Sequence, residues 1–449
     1  MSRPRPTKLF SPKNLQQYQR NVQKVLNSQE AASRGNVRPL VKQFIDQRGK
    51  ILKLANKYPT PFYIFDHQGL ALGIKEFKSA FAHHLPDCQY FYAVKSNYHP
   101  LLLKILVKNN FNLDVSSGRE LQLALNSGAK KMVFSGPGKT EAELKLAIKN
   151  NQKVIINIDN FDELERLGKL TKKYHKNITA GIRIYTKYHG PWTKFGIPLN
   201  RLAKFWRTAH KYPQINLTGI HFHISWNESA APYQNVIKEL ARYLKNNFTP
   251  TERAQIKFID FGGGYTPDRQ YGYYPWETVA GQIVKAANGS LGQLTKFTDK
   301  YYLTTAISLQ KYAEGISLAI GQHLRPIIKA QYFTEPGRII CHPAMHILMR
   351  VMAVKTKNKI ITDAGINLIG WERFEYEYFP IINLTRPALQ EKACQIYGCL
   401  CAPDDIWGCY YYGRKIKVGD YLLVPFQGAY TYTMAQNFIQ PIAPVYSLK

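Results

Sequence analysis

Short runs of β-branched and aromatic residues alternate with helix-patterned segments from about residue 90 onward, and this alternation restricts the fold more than any other feature. Helical periodicity is clearest over Pro100–Asn109, Arg119–Asn126, Glu141–Lys149 and Phe161–Tyr174. The pattern predicts these strands: Tyr90–Val94, Asn112–Val115, Lys131–Phe134, Val154–Ile158, Gly181–Ile184, Leu217–Phe222, Lys257–Asp260 and Lys329–Thr334. Eight strands alternating with helices indicate an α/β fold, a closed parallel (β/α)8 barrel, whose functional residues lie at the C-terminal strand ends.

The 449-residue chain is long enough for more than one domain. After about residue 340 the helical periodicity gives way to short β-like runs, over Met345–Val354, Lys359–Thr362, Cys394–Tyr397 and Tyr421–Pro425. The stretch between Gly264 and Glu335 is long for one barrel step, which indicates an insertion. We therefore predict an N-terminal extension (1–35), an element joining the β domain (36–60), a barrel (61–340) with an insertion at about 266–328, and a mostly β C-terminal domain (341–449).

The formal charge of +31 raises nucleic-acid binding as a possible function. The lysines and arginines are scattered along the chain, however, and no known nucleic-acid motif is present, so we expect nucleic acid not to be the main partner. No stretch of about 18 uncharged apolar residues predicts a membrane span, and no apolar segment follows the basic start as in a secretory signal. The six cysteines lack zinc-site spacing. We interpret the chain as a cytoplasmic protein with free thiols and no metal site.

Lys95 ends an aromatic and β-branched strand at a predicted turn. A lysine at the rim of a hydrophobic core can be desolvated, lose its proton and form a Schiff base with an aldehyde. The commoner alternative for such a residue is a solvated lysine that ends a strand. Arg183, His223, Gly262 and Glu335 also fall at or just beyond strand ends, so the sequence predicts one site at the barrel rim.

Several motifs together carry a family resemblance over about residues 58 to 440. They are Tyr92–Asn97 (YAVKSN), Leu113–Glu120 (LDVSSGRE), Gly219–His223 (GIHFH), Asp260–Gly264 (DFGGG), Thr334–Arg338 (TEPGR), Gly398–Asp405 (GCLCAPDD) and Gly428–Thr431 (GAYT). The chain resembles the ornithine/diaminopimelate decarboxylases. These are fold type III pyridoxal phosphate enzymes with an alanine-racemase-like TIM barrel and a β domain.

The resemblance implies a role for each matched residue. Lys95 carries pyridoxal 5'-phosphate as an internal aldimine, Asp114 lies near the Schiff base, and His223 stacks on the pyridine ring. The remaining cofactor contacts implied are Gly262, Gly263 and Gly264 at the phosphate, Glu335 at the ring nitrogen, Gly337 and Arg338 in the same motif, and Tyr430 at the phosphate. Arg183 bonds near the cofactor or pairs with a barrel carboxylate. Cys401 enters the active site of a partner subunit, which implies a homodimer.

The chemistry of decarboxylation accounts for these residue types. The electrons left on the α-carbon are absorbed by the imine and the pyridinium ring, and an ionised Glu335 favours the protonated ring nitrogen. A salt bridge from Glu335 to Arg338 is the structural alternative. Three glycines let backbone N–H groups approach a phosphate, although they also suit an ordinary tight turn. A core histidine is the alternative for His223, and it is the commoner case for such a residue taken alone.

Cys401 is predicted to reprotonate the quinonoid as a general acid. Its alternative is a small buried hydrophobe. Cys399 would share the face of Cys401 in a regular strand, so the motif match alone selects Cys401.

Departures from the family pattern bear on the substrate. Ser225-Trp226 stands where the family has Gly-Ser, and Ser225 is the candidate replacement hydroxyl. Ala402 replaces a glutamate of the diaminopimelate enzymes, and Leu368–Arg373 replaces their Arg-Pro-Ala-Leu-Tyr segment. The resemblance is therefore to side branches in siderophore and other secondary pathways, which act on conjugated or carrier-linked amino acids.

Asp363, Arg373 and Asp405 are the candidate substrate residues, and Lys194 could pair with Asp405 across a subunit interface. The acidic residues Glu372, Glu375 and Glu377 either read a basic substrate end or form a solvated face.

These observations predict a pyridoxal phosphate-dependent amino-acid decarboxylase, a carboxy-lyase. The expected substrate is a diaminopimelate-, ornithine- or lysine-like amino acid or a conjugated diamino acid. Two alternatives stay open. One is a catalytically silent cofactor-binding homologue that acts through protein partners, and the other is an amino-acid racemase on the same barrel.

Overall fold

The structure is a computed structural model that describes residues 37–190, 193–268, 272–273, 301–370 and 377–448, together with residues 14, 16–17 and 19–21. Within these ranges the chain forms a parallel barrel and a second, mostly β unit. None of the described helices is long and apolar enough to cross a lipid bilayer.

Eight parallel strands form a closed barrel, as the sequence predicts. In chain order, and numbered here as the first to eighth barrel strands, they are Cys88–Ala93, Asn112–Val115, Met132–Phe134, Val154–Ile158, Ile178–Tyr185, Ile215–His221, Phe258–Asp260 and Gln331–Thr334. Each strand pairs with the next, and the eighth pairs with the first. The predicted fold, an alanine-racemase-like barrel followed by a mostly β domain, is confirmed.

Helices cover the outside of the barrel. They are His67–His84, Pro100–Lys108, Gly118–Asn126, Glu141–Lys149, Phe161–Tyr174, Leu202–Ala209, Ala231–Asn247, Pro250–Ala254 and Leu309–Ala319, with a short helix at Arg338–Cys341. Ser117, Thr140 and Asn160 begin three of them by accepting a backbone N–H with their side chains, which is the usual N-cap interaction. Short turns of helix complete the chain path at Val94–Ser96, Lys187–His189, Leu199–Arg201, Ile320–Leu324, His342–Ala344 and Ile366–Leu368.

The boundary predicted for the insertion, at about 266–328, extends too far toward the C-terminus. The helix Leu309–Ala319 packs against His67–His84 and Ala231–Asn247, so it is one of the barrel's own outer helices. Residues 269–271 and 274–300 lie outside the described residues. The described pair Gly272–Tyr273 and Tyr302–Leu303 forms a small antiparallel sheet with Glu377–Tyr378.

The β domain is built around one sheet. Its strands are Phe62–Asp66, Met345–Thr356, Lys359–Thr362, Ile382–Asn383, Glu391–Tyr397, Ile406–Tyr412, Tyr421–Val424 and Val445–Leu448. Phe62–Asp66 pairs with Met345–Thr356 and with Val445–Leu448. The barrel therefore does not begin at residue 61, because this strand completes the second sheet and the chain enters the barrel only with the next helix.

Two helices, Arg38–Asp46 and Arg48–Lys57, precede that strand. Their apolar residues Val41, Phe44 and Ile51 are buried in the same core as Phe62 and other residues of the β sheet. We propose on this basis that residues 36–60 belong with the β domain.

Aromatic residues fill the interior of the barrel below the C-terminal ends of its strands. Phe91, Phe258 and Phe333 form a buried cluster with Val133 and Ile155. Gly219 makes room for this cluster, because a Cβ there would lie 1.9 Å from Cζ of Phe258. The polar side chains of the site lie in the layer above, at the C-terminal ends of the strands.

A buried ion pair fixes the loop after the third barrel strand. Lys139 Nζ donates to Glu163 Oε1 at 2.8 Å and to the backbone oxygens of Gly136 and Asn157 at 2.7 and 2.8 Å. Both charged side chains are fully buried. The pair therefore joins this loop, the fourth strand and the following helix.

Lys139→Met should lower the free energy of unfolding by about 3–5 kcal/mol, because it leaves Glu163 as an uncompensated buried charge. Urea denaturation followed by circular dichroism measures the change. The double variant Lys139→Met/Glu163→Leu should recover most of the loss.

The exposed pair Glu165–Lys169 provides the control. Glu165→Gln should leave the urea midpoint unchanged within error, since surface pairs contribute little. A midpoint for Lys139→Met equal to that of Glu165→Gln would show that the buried pair does not stabilise the fold.

Candidate active site

Lys95 lies in a tight turn, Val94–Ser96, directly after the first barrel strand. Its Nζ is 3.5 Å from Oδ2 of the buried Asp114 on the second strand. The turn is fixed from the β domain, because the Tyr430 N–H donates to the Ser96 carbonyl at 2.8 Å. Lys95 lines a cavity of about 660 Å³ at the C-terminal mouth of the barrel.

The charge of Lys95 differs from the sequence expectation. Burial lowers the pKa of Lys95, but Asp114, Tyr430 and Glu335 raise it, and the net pKa lies above the ordinary value of a lysine. The expectation that burial removes its proton is therefore wrong. The carboxylates that folding brings to the same rim outweigh the desolvation.

Glu335 follows the eighth barrel strand and is buried. Its Oε1 is 3.3 Å from Nε2 of His221 and accepts from the Ser135 hydroxyl at 3.3 Å, and its Oε2 is 3.4 Å from Nδ1 of His223. Burial raises the pKa of Glu335, but the two histidines lower it further, to well below its usual value. Glu335 is therefore an anion held in a dry environment.

His223 lines the cavity in a neutral form. Its Nδ1 accepts the Gly263 N–H at 3.1 Å, and burial lowers the pKa of His223 to about 4. A neutral, flat imidazole in this place suits stacking on an aromatic ring.

The loop Gly262–Gly264 requires glycine because backbone carbonyl groups of other segments approach it closely. A Cβ on Gly263 would lie 2.0 Å from the Glu335 carbonyl oxygen, and one on Gly264 would lie 2.0 Å from that of Ile224. Gly262 and Gly264 also have positive φ angles of 67° and 94°. The Gly262 N–H donates to Asp260 and the Gly263 N–H to His223. Two of the three N–H groups of the loop therefore already make hydrogen bonds within the fold.

Arg338 lies between two aromatic rings on the cavity wall. Its Cζ is 4.6 Å from the ring centre of Trp226 and 5.0 Å from that of Tyr430. Both aromatic residues have left-handed backbones, with φ of 58° and 56°. Such backbone geometry is uncommon for bulky side chains and is found most often at functional sites.

Other predicted residues lie around the same cavity. Ser225 is exposed there, and Gly337 packs so closely that a Cβ would lie 2.2 Å from Oγ of Ser96. Arg183 lines an adjoining cavity of about 290 Å³ together with Lys95 and His223. Its Nη1 donates to the Ser135 carbonyl at 3.3 Å, and its guanidinium stacks on Phe195 at 4.5 Å. Arg183 thus contacts a backbone oxygen and an aromatic ring.

Cys401 is exposed in the loop that follows the strand Glu391–Tyr397. Among the described residues it does not line the cavity of its own chain. Cys399 is half-buried and donates to the Asp363 carbonyl at 3.2 Å, and burial raises the pKa of Cys399 to about 11. The two cysteines therefore do not share an environment, which the sequence left open.

Two predicted substrate residues serve the fold instead. The buried Asp405 accepts the Ile366 N–H at 2.8 Å and the Leu400 N–H at 2.6 Å, so its carboxylate holds the loop that carries Cys401 and is not a surface charge. Asp363 accepts the Arg350 N–H at 2.8 Å and the Thr60 hydroxyl. Arg373, with Glu372 and Glu375, lies outside the described residues, whereas Glu377 lines the cavity.

Sequence reasoning missed three residues beneath Glu335 and one beside Arg338. His221, Asp260 and Ser135 are buried within the polar layer, and Trp226 forms part of the cavity wall. The signal for both His221 and Asp260 was available, because Asp260 ends a predicted strand and His221 is the last but one residue of another. Nothing in the local sequence distinguishes Ser135 from an ordinary turn residue.

The cavity has the parts that a phosphorylated pyridine aldehyde needs. Lys95 offers an amine, Glu335 an anion, and Arg338 a cation beside a glycine loop. Oδ1 of the buried Asp114 has no hydrogen-bond partner among the described residues, so this site has an acceptor available to a ligand. These residues fit pyridoxal 5'-phosphate.

The family model for the pyridoxal-dependent decarboxylases, pyridoxal binding domain, matches residues 73–342. The chain belongs to this family. It is a pyridoxal phosphate-dependent amino-acid decarboxylase, as the sequence resemblance implies, and the predicted cofactor and enzyme class are confirmed.

Several known proteins are similar to this chain over most of the length of both chains. Diaminopimelate decarboxylases from Aquifex aeolicus and Vibrio cholerae are 25% and 27% identical to it over 406 residues, which is 86% of each chain. The crystal structure of the diaminopimelate decarboxylase from M. jannaschii with L-lysine superposes with a TM-score of 0.72 at 23% identity, covering 88% of this chain and 89% of that one.

Trp226 provides a test of the decarboxylase cofactor site. Trp226→Asn keeps a residue that tolerates the left-handed backbone but removes the ring from Arg338. We expect it to bind pyridoxal phosphate about 2- to 30-fold more weakly, because a cation–π contact contributes about 0.5–2 kcal/mol.

Equilibrium dialysis with pyridoxal phosphate measures this affinity. Trp226→Phe retains a ring and should bind nearly as well as the wild type. Equal affinity of the Asn and Phe variants would exclude a role for the stacking contact.

Proposed function

We propose that this chain decarboxylates a diamino acid, either free and diaminopimelate-, ornithine- or lysine-like or conjugated at one end. The observation that carries this proposal is one cavity lined by Lys95, Glu335 and Arg338, with Glu377 in its wall. The first three residues suit the cofactor. The carboxylate of Glu377 suits a cationic group on the substrate.

The proposed cofactor contacts combine the family resemblance with the lining of the cavity. Lys95 would hold the cofactor covalently through Nζ, Glu335 would face the ring nitrogen, and His223 would stack on the ring. The phosphate would lie near Arg338, Gly264 and Tyr430. When bound, pyridoxal phosphate supplies an electron sink for the bond that breaks at the α-carbon. Asp114 and Arg183 keep the charges around Lys95 balanced.

Cys401 is proposed to return a proton to the substrate α-carbon from a second copy of the chain. Within the described part of the chain, the thiol is exposed and is absent from the cavity lining, which supports its delivery to the site by a partner. Asp405 fixes the conformation of the loop that carries it. A homodimer with shared active sites satisfies both requirements, and the thiol is a competent proton donor.

The substrate is proposed to differ from meso-diaminopimelate. Relatives at 24–27% identity are named diaminopimelate decarboxylases, and structures similar in fold include a complex with cadaverine. After its Asp-Ala-Gly segment this chain has Leu368–Arg373 in place of the Arg-Pro-Ala-Leu-Tyr segment, and it has Ala402 after the cysteine, which supports a siderophore-type or other secondary pathway. Its six free cysteines fit a cytoplasmic location.

A screen for CO2 release from L-, D- and meso-amino acids and citryl-conjugated diamino acids tests the activity. Lys95→Ala should abolish turnover, because the cofactor loses its covalent attachment, and borohydride should fix the cofactor to position 95 only in the wild type. Chiral analysis of unreacted substrate would reveal a racemase. Cofactor binding without any turnover would indicate the silent homologue.

Hybrid dimers purified through two different tags test the shared site. A hybrid of Lys95→Ala and Cys401→Ala subunits should retain about half of the wild-type activity, because one of the two symmetry-related sites stays intact. The matched hybrid pairs a wild-type subunit with the double variant Lys95→Ala/Cys401→Ala and should have no intact site. The opposite order of activities would show that each chain uses its own cysteine.

A further inference from the structure

A cluster of four buried polar groups lies beneath the cavity. His221 ends the sixth barrel strand and is in register with Asp260, which ends the seventh. One nitrogen or oxygen atom of each of His221, Asp260 and Glu335 lies within 4.8 Å of the other two. Ser135 donates to Glu335 from the third strand side. All four residues are buried, so water does not screen their interactions.

Two carboxyl groups this close in a buried core cannot both be ionised. Glu335 accepts the Ser135 hydroxyl and lies 3.3 Å from Nε2 of His221, and the charges of Lys95 and Arg183 interact favourably with its carboxylate. Burial and the charge of Glu335 raise the pKa of Asp260 well above its usual value. The proton therefore resides on Asp260.

His221 is neutral in this environment, since burial lowers its pKa. Its Nε2 lies 3.3 Å from Oε1 of Glu335, so a neutral ring with its proton on Nε2 places the positive end of an N–H dipole near that oxygen. The approach is close but not aligned as a full hydrogen bond in the described structure. Oδ2 of Asp260 has no hydrogen-bond partner among the described residues, which leaves room for its proton.

We propose that His221 and Asp260 are positioning residues that keep Glu335 ionised, Asp260 as a neutral acid and His221 as a neutral N–H donor. Glu335 in turn keeps the ring nitrogen of the cofactor protonated. This inference rests on the proposed function, because it assigns Glu335 to that nitrogen. The proposal explains why His221 and Asp260 lie beneath Glu335, the carboxylate that would face the cofactor.

The charge of Asp260 can be tested without turnover. Infrared spectroscopy of the protein, with and without pyridoxal phosphate, should show the carbonyl band of a buried protonated carboxylic acid. That band should be lost in Asp260→Asn and retained in Asp87→Asn, which alters an exposed carboxylate. Its absence from the wild type would overturn the assignment of the proton to Asp260, whatever the enzyme decarboxylates.

The effect on the cofactor is read from nitrogen NMR of bound pyridoxal phosphate labelled with 15N in the ring. His221→Leu should move the resonance from the pyridinium toward the neutral pyridine position, and His221→Gln, which keeps an N–H near Glu335, should restore it. His189→Leu is the control, because His189 is buried nearby but contacts Thr186. An unchanged resonance in His221→Leu would overturn the proposal.

Asp260→Asn gives an independent outcome if His221→Leu does not fold. An amide is isosteric with the neutral acid, so the pyridinium resonance should stay in place. A shift in Asp260→Asn would show that Asp260 is the ionised member of the pair. Failure of the proposed function appears differently, as wild-type protein that forms no adduct at Lys95.

Discussion

Pairing of the eighth barrel strand with the first is the constraint on which the site depends. Thr334 lies opposite Tyr90 in this parallel register, so Glu335 and Lys95 reach the same rim although they are 240 positions apart in the sequence. Without closure, the anion and the amine would lie on opposite edges of an open sheet. The closed barrel therefore brings distant residues into one site, because the C-terminal ends of its parallel strands all lie at one face.

Opposite charges lie close together at the rim of the barrel. Lys95 and Arg183, which are partly exposed, bring positive charge beside the buried carboxyl groups of Asp114 and Glu335, where isolated charges are strongly disfavoured. Below them the phenylalanine cluster around Phe258 excludes water and fixes the depth of the layer. Asp114 is the main group that raises the pKa of Lys95 against the effect of burial, whereas His221 and His223 lower the pKa of Glu335 against the effect of burial.

Sequence patterns predicted the barrel strands, four helices and the family, because those features depend on local periodicity and on short motifs. They did not predict that Phe62–Asp66 joins the β sheet, since a strand's local pattern does not identify its pairing partner. The structural roles of Asp363 and Asp405 depend on backbone N–H groups from distant segments. The charge of Lys95 depends on carboxylates from other strands. Local sequence carries none of this information.

The β domain completes the lysine turn as well as carrying the cysteine. Asn97 Nδ2 donates to the Gly428 carbonyl at 2.8 Å, and the Tyr430 N–H donates to the Ser96 carbonyl at 2.8 Å. Tyr430 then places its ring against Arg338. The residues on both sides of Lys95 are thus held by a segment more than 300 positions away in the sequence. A barrel alone would lack these hydrogen-bond partners, so the conformation of the lysine turn depends on both units of the fold.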